Sequence, residues 1–145
     1  MPALCDVNVL FALVHRRHVF HETAAEWLAG VRAPGEIAVC RVSQLGLLRL
    51  LNIPAVLKTE ALPVAQVWTV YDKMKSDERF TFVDEPDDLE ASMRALMRGR
   101  HFSPKLWQDA YLAAFAISAD LALVTFDGGF RQFAGLRFVV LSPDM

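Results

Sequence analysis

The chain has 145 residues, a formal net charge of −2, and 54% apolar and 22% charged residues. That length predicts one domain, residues 1–145, with enough apolar side chains for a substantial core. The charge excludes the overall basic excess typical of nucleic-acid-binding proteins, so any such binding must rest on a local patch. No apolar run approaches the roughly 20 residues that span a bilayer and no signal peptide is visible, so we expect a cytoplasmic protein with no membrane partner.

Short apolar stretches alternate with helical patterns along the whole chain. Strands are predicted at residues 3–7, 36–40, 79–83, 121–125 and 137–141. Helices are predicted at residues 8–15, 20–31, 44–51, 63–76, 88–98 and 105–116. Helix-start signals are Ser43, Asp87 with Glu90, and Ser103 with Pro104. This alternation predicts an α/β fold, a three-layer α/β/α sandwich around a mainly parallel sheet of four to five strands.

Two groups of residues invite a disulfide or zinc interpretation. Cys5 and Cys40 each lie in a short apolar stretch; a free cysteine packs as a small hydrophobe, so we predict two buried, reduced thiols, with a disulfide or metal site as the alternative. His15, His18 and His21 could bind zinc, but no Cys, Asp or Glu accompanies them in a recognised zinc spacing.

The segment KLWQDAYLAAFA, residues 105–116, contains a single acid, Asp109. Nearly every face of a helix with this sequence is apolar, and such helices are normally buried. A buried carboxylate is costly unless it acquires a partner, loses its charge or binds a metal. We therefore predict that Asp109 meets a partner group or a cation.

Polar residues also follow the predicted strands. Asp6 ends the first strand, Gln44 begins the helix after the second, and Asp127 follows LALVT by two residues. Since the carboxyl ends of parallel strands share one edge, these groups are expected there together with Asp109. Oxygen ligands of this kind suit Mg²⁺ or Mn²⁺. The local alternatives are that Asp6 caps a helix and that Asp127 forms a turn in FDGGF.

Four segments carry a family resemblance. LCDVNVLFAL, RVSQLGLLRLL, WQDAYLAAFA and LVTFDGGF, in this order and spacing, resemble the signature segments of PIN-domain ribonucleases, closest to the VapC-type toxins of bacterial toxin–antitoxin pairs. The resemblance spans the chain. It implies a PIN-like fold and Mg²⁺-dependent cleavage of single-stranded or looped RNA by metal-activated water, leaving a 5′-phosphate and a 3′-hydroxyl. It also implies a cognate antitoxin and a homodimer.

Carried over by position, the metal-binding acids of the family correspond to Asp6, Asp109 and Asp127. The polar residues beside them correspond to Asn8 and Thr125. These five residues are the predicted centre of the site.

One position departs from the family pattern, which usually has Glu where this chain has Gln44. A neutral amide can orient a water or the phosphate but contributes no full charge. Ser43 or Thr125 can donate a hydrogen bond to a ligand or water. The alternative functions are a PIN-like protein that binds antitoxin and RNA with weak or no nuclease activity, and an unrelated phospho-receiver domain. A receiver domain is expected to have adjacent acids near its first strand and a lysine after a late strand. In this chain Asp6 has no acidic neighbour, and no lysine follows Lys105.

RNA binding requires cationic groups near the acids. Two basic segments precede or follow predicted helices, and their candidate RNA-binding residues are Arg16, Arg17, Arg94, Arg98, Arg100 and Lys105. Solvated surface charge is the alternative. Trp68, Tyr71 and the leucines of QLGLLRLL are predicted to be core, with a partner-binding groove as the alternative. An apolar content this high also favours a partner, either an antitoxin or a second copy.

Overall fold

The computed structural model describes residues 2–142. In that range it contains one five-stranded sheet with the order β3-β2-β1-β4-β5 and only parallel pairs. The strands are Ala3–Cys5 (β1), Ile37–Val39 (β2), Phe80–Phe82 (β3), Ala122–Thr125 (β4) and Phe138–Val140 (β5). The predicted α/β fold is confirmed. A receiver of the flavodoxin-like type has the order 2-1-3-4-5, so that alternative is wrong.

Helices cover both faces of the sheet. They are Val7–Val14 (α1), His21–Ala29 (α2), Arg41–Asn52 (α3), Pro54–Leu57 (α4), Val64–Lys75 (α5), Leu89–Met97 (α6) and Leu106–Ser118 (α7), with 3-10 turns at Lys58–Glu60 and Gly128–Gln132. Successive strand residues alternate between the two faces. Leu4 thus joins the core under α6 and α7, whereas Ala3 and Cys5 join the core under α1, α3 and α5.

The predicted helix-start residues are wrong in detail, although the helices exist. Helix α3 begins at Arg41, and the buried Ser43 instead donates a hydrogen bond from Oγ to the carbonyl oxygen of Cys5 (3.2 Å). Helices α6 and α7 follow Asp88 and Lys105, neither of which makes a side-chain cap.

The prediction that the helix carrying Asp109 is buried on every side is wrong for its first turn. Trp107 is 64% exposed and Asp109 is half-buried. Burial becomes continuous only in the later turns, where α7 packs against α6 and β4. For helix α5, the prediction of core residues is confirmed for Tyr71, which is buried. It is wrong for Trp68, which is 46% exposed.

The cysteines and histidines have ordinary packing roles. Cys5 and Cys40 are buried and unpaired, as predicted. The ring of His18 packs with Phe11 and Phe20, and its Nδ1 accepts from the Phe20 backbone N–H (3.0 Å). In residues 2–142 no helix is both long and apolar enough to cross a bilayer.

Candidate active site

The candidate site lies where the connection order of the sheet reverses, between β1 and β4. Strands β2 and β3 continue to one side of β1, and β4 and β5 lie on the other. Ligands of open α/β sheets bind at such a switch point, outside the carboxyl ends of the strands. Asp6 directly follows β1 and its N–H donates to the carbonyl of Val124 in β4 (2.9 Å), while Asp127 follows β4.

Asp6 is held on both carboxylate oxygens. Its side chain is buried; Oδ1 accepts from the N–H of Val7 (2.7 Å) and Oδ2 accepts from Oγ1 of Thr125 (2.7 Å). Burial raises the pKa of Asp6, while these two hydrogen bonds and the charge of Lys105 oppose the rise. The local alternative is therefore also realised, because Asp6 caps helix α1. Because Oδ1 is held by this cap, Oδ2 is directed towards Thr125 in the site.

Thr125 connects the acids of neighbouring strand ends. It is fully buried, and besides donating to Asp6 its Oγ1 accepts from the N–H of Asp127 (2.9 Å) and lies 3.5 Å from Nδ2 of Asn8. Asn8 in turn accepts from the N–H of Phe126 through Oδ1 (3.3 Å). The structure thus brings Asp6, Asn8, Thr125 and Asp127 together in one hydrogen-bonded group.

Asp127 divides its two oxygens between a turn and a cation. Oδ1 accepts from the N–H of Gly129 (2.8 Å), which is the turn role expected of Asp-Gly, and Oδ2 accepts from Nζ of Lys105 (2.8 Å). The hydrogen bond from Lys105 holds the pKa of Asp127 below its ordinary value. The pKa of Lys105 is raised, first by this bond and also by the charges of Asp109 and Asp6. Lys105 therefore forms an ion pair with Asp127, and its charge also acts on Asp109 and Asp6.

Asp109 is the least satisfied of the three acids. Among the described residues its carboxylate accepts no hydrogen bond, and its pKa is raised to about 6. Partial burial is the main cause; the negative charges of Asp6 and Asp127 raise the pKa further, and Lys105 opposes them. The negative charges of Asp6 and Asp127 thus raise the pKa of Asp109, and a cation bound nearby would lower it.

The oxygen atoms at this site are of the kind that bind a hard divalent cation, although they are not arranged as a preformed metal site. Carboxylate, hydroxyl and amide oxygens are the ligands that Mg²⁺ and Mn²⁺ favour. Within residues 2–142, however, no three carboxylate, histidine or cysteine side chains lie close enough to form a ready-made metal site. The ammonium of Lys105 already neutralises part of the cluster. It occupies the electrostatic role that a metal ion would take.

The structure does not bring Gln44 into hydrogen-bonding contact with the acids. Its buried side chain accepts from Nη1 of Arg41 through Oε1 and lies near the Tyr71 hydroxyl, where it lowers the pKa of Tyr71 against the larger effect of burial. The guanidinium of Arg41 lies 4.5 Å from the ring centroid of Phe82. Sequence reasoning missed the contacts with Arg41 and Tyr71. Only the spacing of three residues between Arg41 and Gln44 in one helix could have indicated the first of them.

The candidate RNA-binding residues divide into paired and unpaired groups. Arg17 pairs with Glu60 (3.1 Å) and Arg94 with Glu90 (3.5 Å), all of them exposed. Arg100 donates to the backbone of Leu96 and Gln132 and to the Gln132 side chain, so its role is structural. In the described part of the chain, the ion pairs include neither Arg16 nor Arg98. Lys105 lies at the acids themselves.

The parallel α/β sandwich described above is the fold of a known family. The family model "PIN domain" matches residues 3–136, and the chain belongs to this family. Its relatives include the protein named Ribonuclease VapC41 of Mycobacterium tuberculosis, which is 40% identical over 143 residues, 96% of this chain and 98% of that protein. The predicted membership and the likeness to VapC-type proteins are confirmed.

Solved structures share the fold at low sequence identity. The toxin VapC20 of Mycobacterium tuberculosis, described as cleaving the Sarcin-Ricin loop, aligns with a TM-score of 0.64 and 19% identity over 93% of this chain and 98% of that one. A chain of a toxin–antitoxin complex from Klebsiella pneumoniae aligns with a TM-score of 0.61 and 20% identity over 95% and 96%. At these identities the likeness demonstrates the fold alone.

Proposed function

We propose that the protein is a metal-dependent endoribonuclease, the toxin of a toxin–antitoxin pair, that cleaves single-stranded or looped RNA with Mg²⁺ or Mn²⁺. The observation that carries the proposal is the hydrogen-bonded group of Asp6, Thr125, Asp127 and Lys105 at the β1/β4 switch point. Asp109 lies near enough for the charges of this group to act on its pKa. The relatives support it, because VapC41 is named a ribonuclease and VapC20 is described as a Sarcin-Ricin loop cleaving toxin.

The residues of the cluster have distinct tasks in this proposal. Asp6, Asp109 and Asp127 would hold the divalent cation. When bound, such an ion lowers the pKa of a water ligand and offsets charge on the scissile phosphate. Thr125 keeps the Asp6 carboxylate and the Asp127 backbone in register through its two short hydrogen bonds. Lys105, once released from Asp127, supplies a positive charge for the RNA phosphate.

The direct test is a cleavage assay on a mixed RNA pool with purified protein. Mg²⁺ or Mn²⁺ is titrated in parallel, and EDTA serves as the metal-free control. We expect metal-dependent endonucleolytic products that carry 5′-phosphates. Should metal bind and RNA bind while no cleavage occurs, the protein is instead a PIN-like binding protein with weak or absent nuclease activity, the function that the neutrality of Gln44 favours.

Removing the ammonium of Lys105 is expected to strengthen metal binding. Lys105→Met eliminates the cation that a metal ion must displace from Asp127, so the affinity for Mn²⁺ should rise about tenfold, a modest value because the ammonium is mostly exposed. RNA turnover should fall in the same variant, since a phosphate-binding charge is lost. Isothermal titration with Mn²⁺ measures the first effect and RNA cleavage the second.

Lys105→Arg is the matched control for this prediction. It keeps a positive charge near Asp127 and should leave Mn²⁺ affinity within about threefold of the parent, a difference of less than 1 kcal/mol. If Lys105→Met binds Mn²⁺ no more tightly than Lys105→Arg, the ammonium and the metal do not compete.

Gln44→Glu is expected to raise Mg²⁺ affinity and cleavage only slightly, by no more than about threefold, a difference of less than 1 kcal/mol. The new carboxylate would lie against Arg41, whose guanidinium contacts the Gln44 oxygen and would neutralise most of the added charge. Removing the guanidinium should leave the new carboxylate with its full charge. The double variant Arg41→Gln, Gln44→Glu is therefore expected to bind Mg²⁺ more tightly than the single variant Gln44→Glu. Equal affinities in both variants and the parent would mean that residue 44 takes no part in metal binding.

We further propose a cognate antitoxin and a homodimer as the protein's partners, in a cytoplasmic setting. The alignment with a chain of the Klebsiella pneumoniae toxin–antitoxin complex supports the first. Co-purification with the product of a co-transcribed gene tests for the antitoxin, and light scattering of the isolated chain tests for the dimer. A strictly monomeric protein without a co-transcribed partner would contradict the toxin assignment.

A further inference from the structure

A groove outside the acid cluster combines an apolar floor with two highly exposed aromatic rings. It lies between α6 and the start of α7 and has a volume of about 880 Å³. Met93, Met97 and Leu106 contribute apolar surface to it. Phe102 and Trp107 also line it, and they are 81% and 64% exposed, respectively. Two exposed aromatic rings that line one apolar groove indicate a binding surface.

The charge of the groove is opposite to that of the chain. Three arginines and one glutamate line it, Arg94, Arg98, Arg100 and Glu90, whereas the whole chain has a formal charge of −2. Arg100 is fixed, because it donates to Gln132 and its guanidinium lies 4.7 Å from the ring centroid of Phe133. Arg98 forms no ion pair within residues 2–142 and remains available to a ligand. The groove therefore favours an anionic occupant.

We infer that this groove binds single-stranded RNA, with bases stacked on Trp107 and Phe102 and phosphates beside Arg98 and Arg94. Exposed aromatic faces next to a cationic track are the means by which proteins bind single strands, because every base has a flat face and every nucleotide a negative charge. A purely apolar peptide would leave Arg98 without a partner, and a duplex would hide its bases from the rings. The inference rests on the proposed function and names its substrate-binding surface.

The position of the groove links it to the acids. Trp107 lies in the first turn of α7, two residues after Lys105 and two before Asp109. Within one helical turn the chain thus presents a stacking ring towards the groove and the cation and acid towards the site. A strand stacked on Trp107 would pass the start of α7 on its way to the carboxylates. The groove would therefore bind nucleotides that flank the scissile bond.

The test measures binding without cleavage. A fluorescein-labelled oligoadenylate of twelve nucleotides is titrated with the full chain in EDTA, and affinity is followed by anisotropy. We expect Trp107→Ala and Phe102→Ala each to weaken binding about tenfold. Trp68→Ala is the matched control, a partly exposed tryptophan on α5 whose replacement should leave the affinity unchanged. Trp107→Phe should retain most of the affinity. Arg98→Ala should reduce the slope of log affinity against log salt by about one.

Several results would overturn the inference. They are unchanged affinity in Trp107→Ala, an equal loss in Trp68→Ala, or equal affinity for a duplex of the same length. A fourth is a Trp107→Ala variant that dissociates a dimer in sedimentation while keeping its RNA affinity, since the groove would then be a contact between copies. The proposed function fails separately: if the wild type binds the oligonucleotide through Trp107 but cleaves no RNA with Mg²⁺ or Mn²⁺, only the nuclease assignment is lost.

Discussion

Asp109→Asn is expected to lower metal-dependent RNA cleavage about a thousandfold, because removal of one charged ligand forfeits several kcal/mol of stabilisation that the metal provides. The substitution keeps the shape of the side chain and replaces one oxygen with an amide. Cleavage of the RNA pool and Mn²⁺ affinity are measured together. Asp72→Asn, an exposed acid on α5, is the control and should behave as the parent. An Asp109→Asn variant that cleaves as well as the parent would remove Asp109 from the site.

The same variant should make the metal-free protein more stable at pH 7.5. The pKa of Asp109 is about 6 in the folded protein, above its ordinary value of 3.8, so folding favours the protonated form. The folded state therefore binds more protons than the unfolded state between these values, and stability falls as pH rises through about 4 to 6. Asparagine avoids this loss. We expect a gain of about 1 kcal/mol at pH 7.5, discounted for solvent screening of a half-exposed group.

Urea denaturation in EDTA at several pH values between 4.5 and 7.5 measures this effect. The advantage of Asp109→Asn over the parent should shrink as the pH is lowered, because the parent carboxyl becomes neutral too. Added Mg²⁺ or Mn²⁺ should reverse the order by stabilising the parent. A constant difference across the pH range would mean that the carboxyl of Asp109 is not perturbed by burial and its acidic neighbours.

Thr125→Val is expected to destabilise the protein by about 3 kcal/mol, although valine matches threonine in shape. The hydroxyl is fully buried; it donates to Asp6 and accepts from the N–H of Asp127. Its removal leaves a buried carboxylate oxygen and a backbone donor without their partners, and each costs about 1–3 kcal/mol. The pKa of Asp6 should rise further, since the hydrogen bond from Thr125 lowers it.

Thr125→Ser is the matched control because it keeps the hydroxyl and loses only a methyl group. Free energies of unfolding from urea titrations should rank the parent first, the serine variant second and the valine variant last. Mn²⁺ affinity should follow the same order. A valine variant as stable as the serine variant would show that the Thr125 hydrogen bonds are not what joins the two strand ends.

The strand ends were predictable from the sequence. Asp6 and Asp127 each follow a short apolar run, and parallel strands bring their carboxyl ends to one edge, so their proximity follows from local pattern and one general rule. Both also serve the local role that the pattern indicates, as a helix cap and a turn former. In both acids Oδ1 makes the local bond, to the helix cap or the turn, while Oδ2 contacts Thr125 or Lys105 in the site.

The sequence indicates Asp109 as a site residue because its helix should be buried on every side, and the structure corrects that expectation. Its helix is apolar in composition, yet the first turn is open and Trp107 is exposed. Composition determines which faces can be buried, but only neighbouring elements determine which faces are covered. The same distinction explains Trp68, predicted as core and found partly exposed on α5, next to the buried Tyr71.

What the sequence determined by itself is the order of strands and helices, the parallel sheet and the edge at which the acids gather, because these depend on periodicity and on chain connectivity. Tertiary structure alone decided that Lys105 pairs with Asp127, that Gln44 faces Arg41 and Tyr71, and that Trp107 opens onto a groove. The physical reason is that a side chain's partners are set by distances between elements remote in sequence, and periodicity within one element contains no information about those distances.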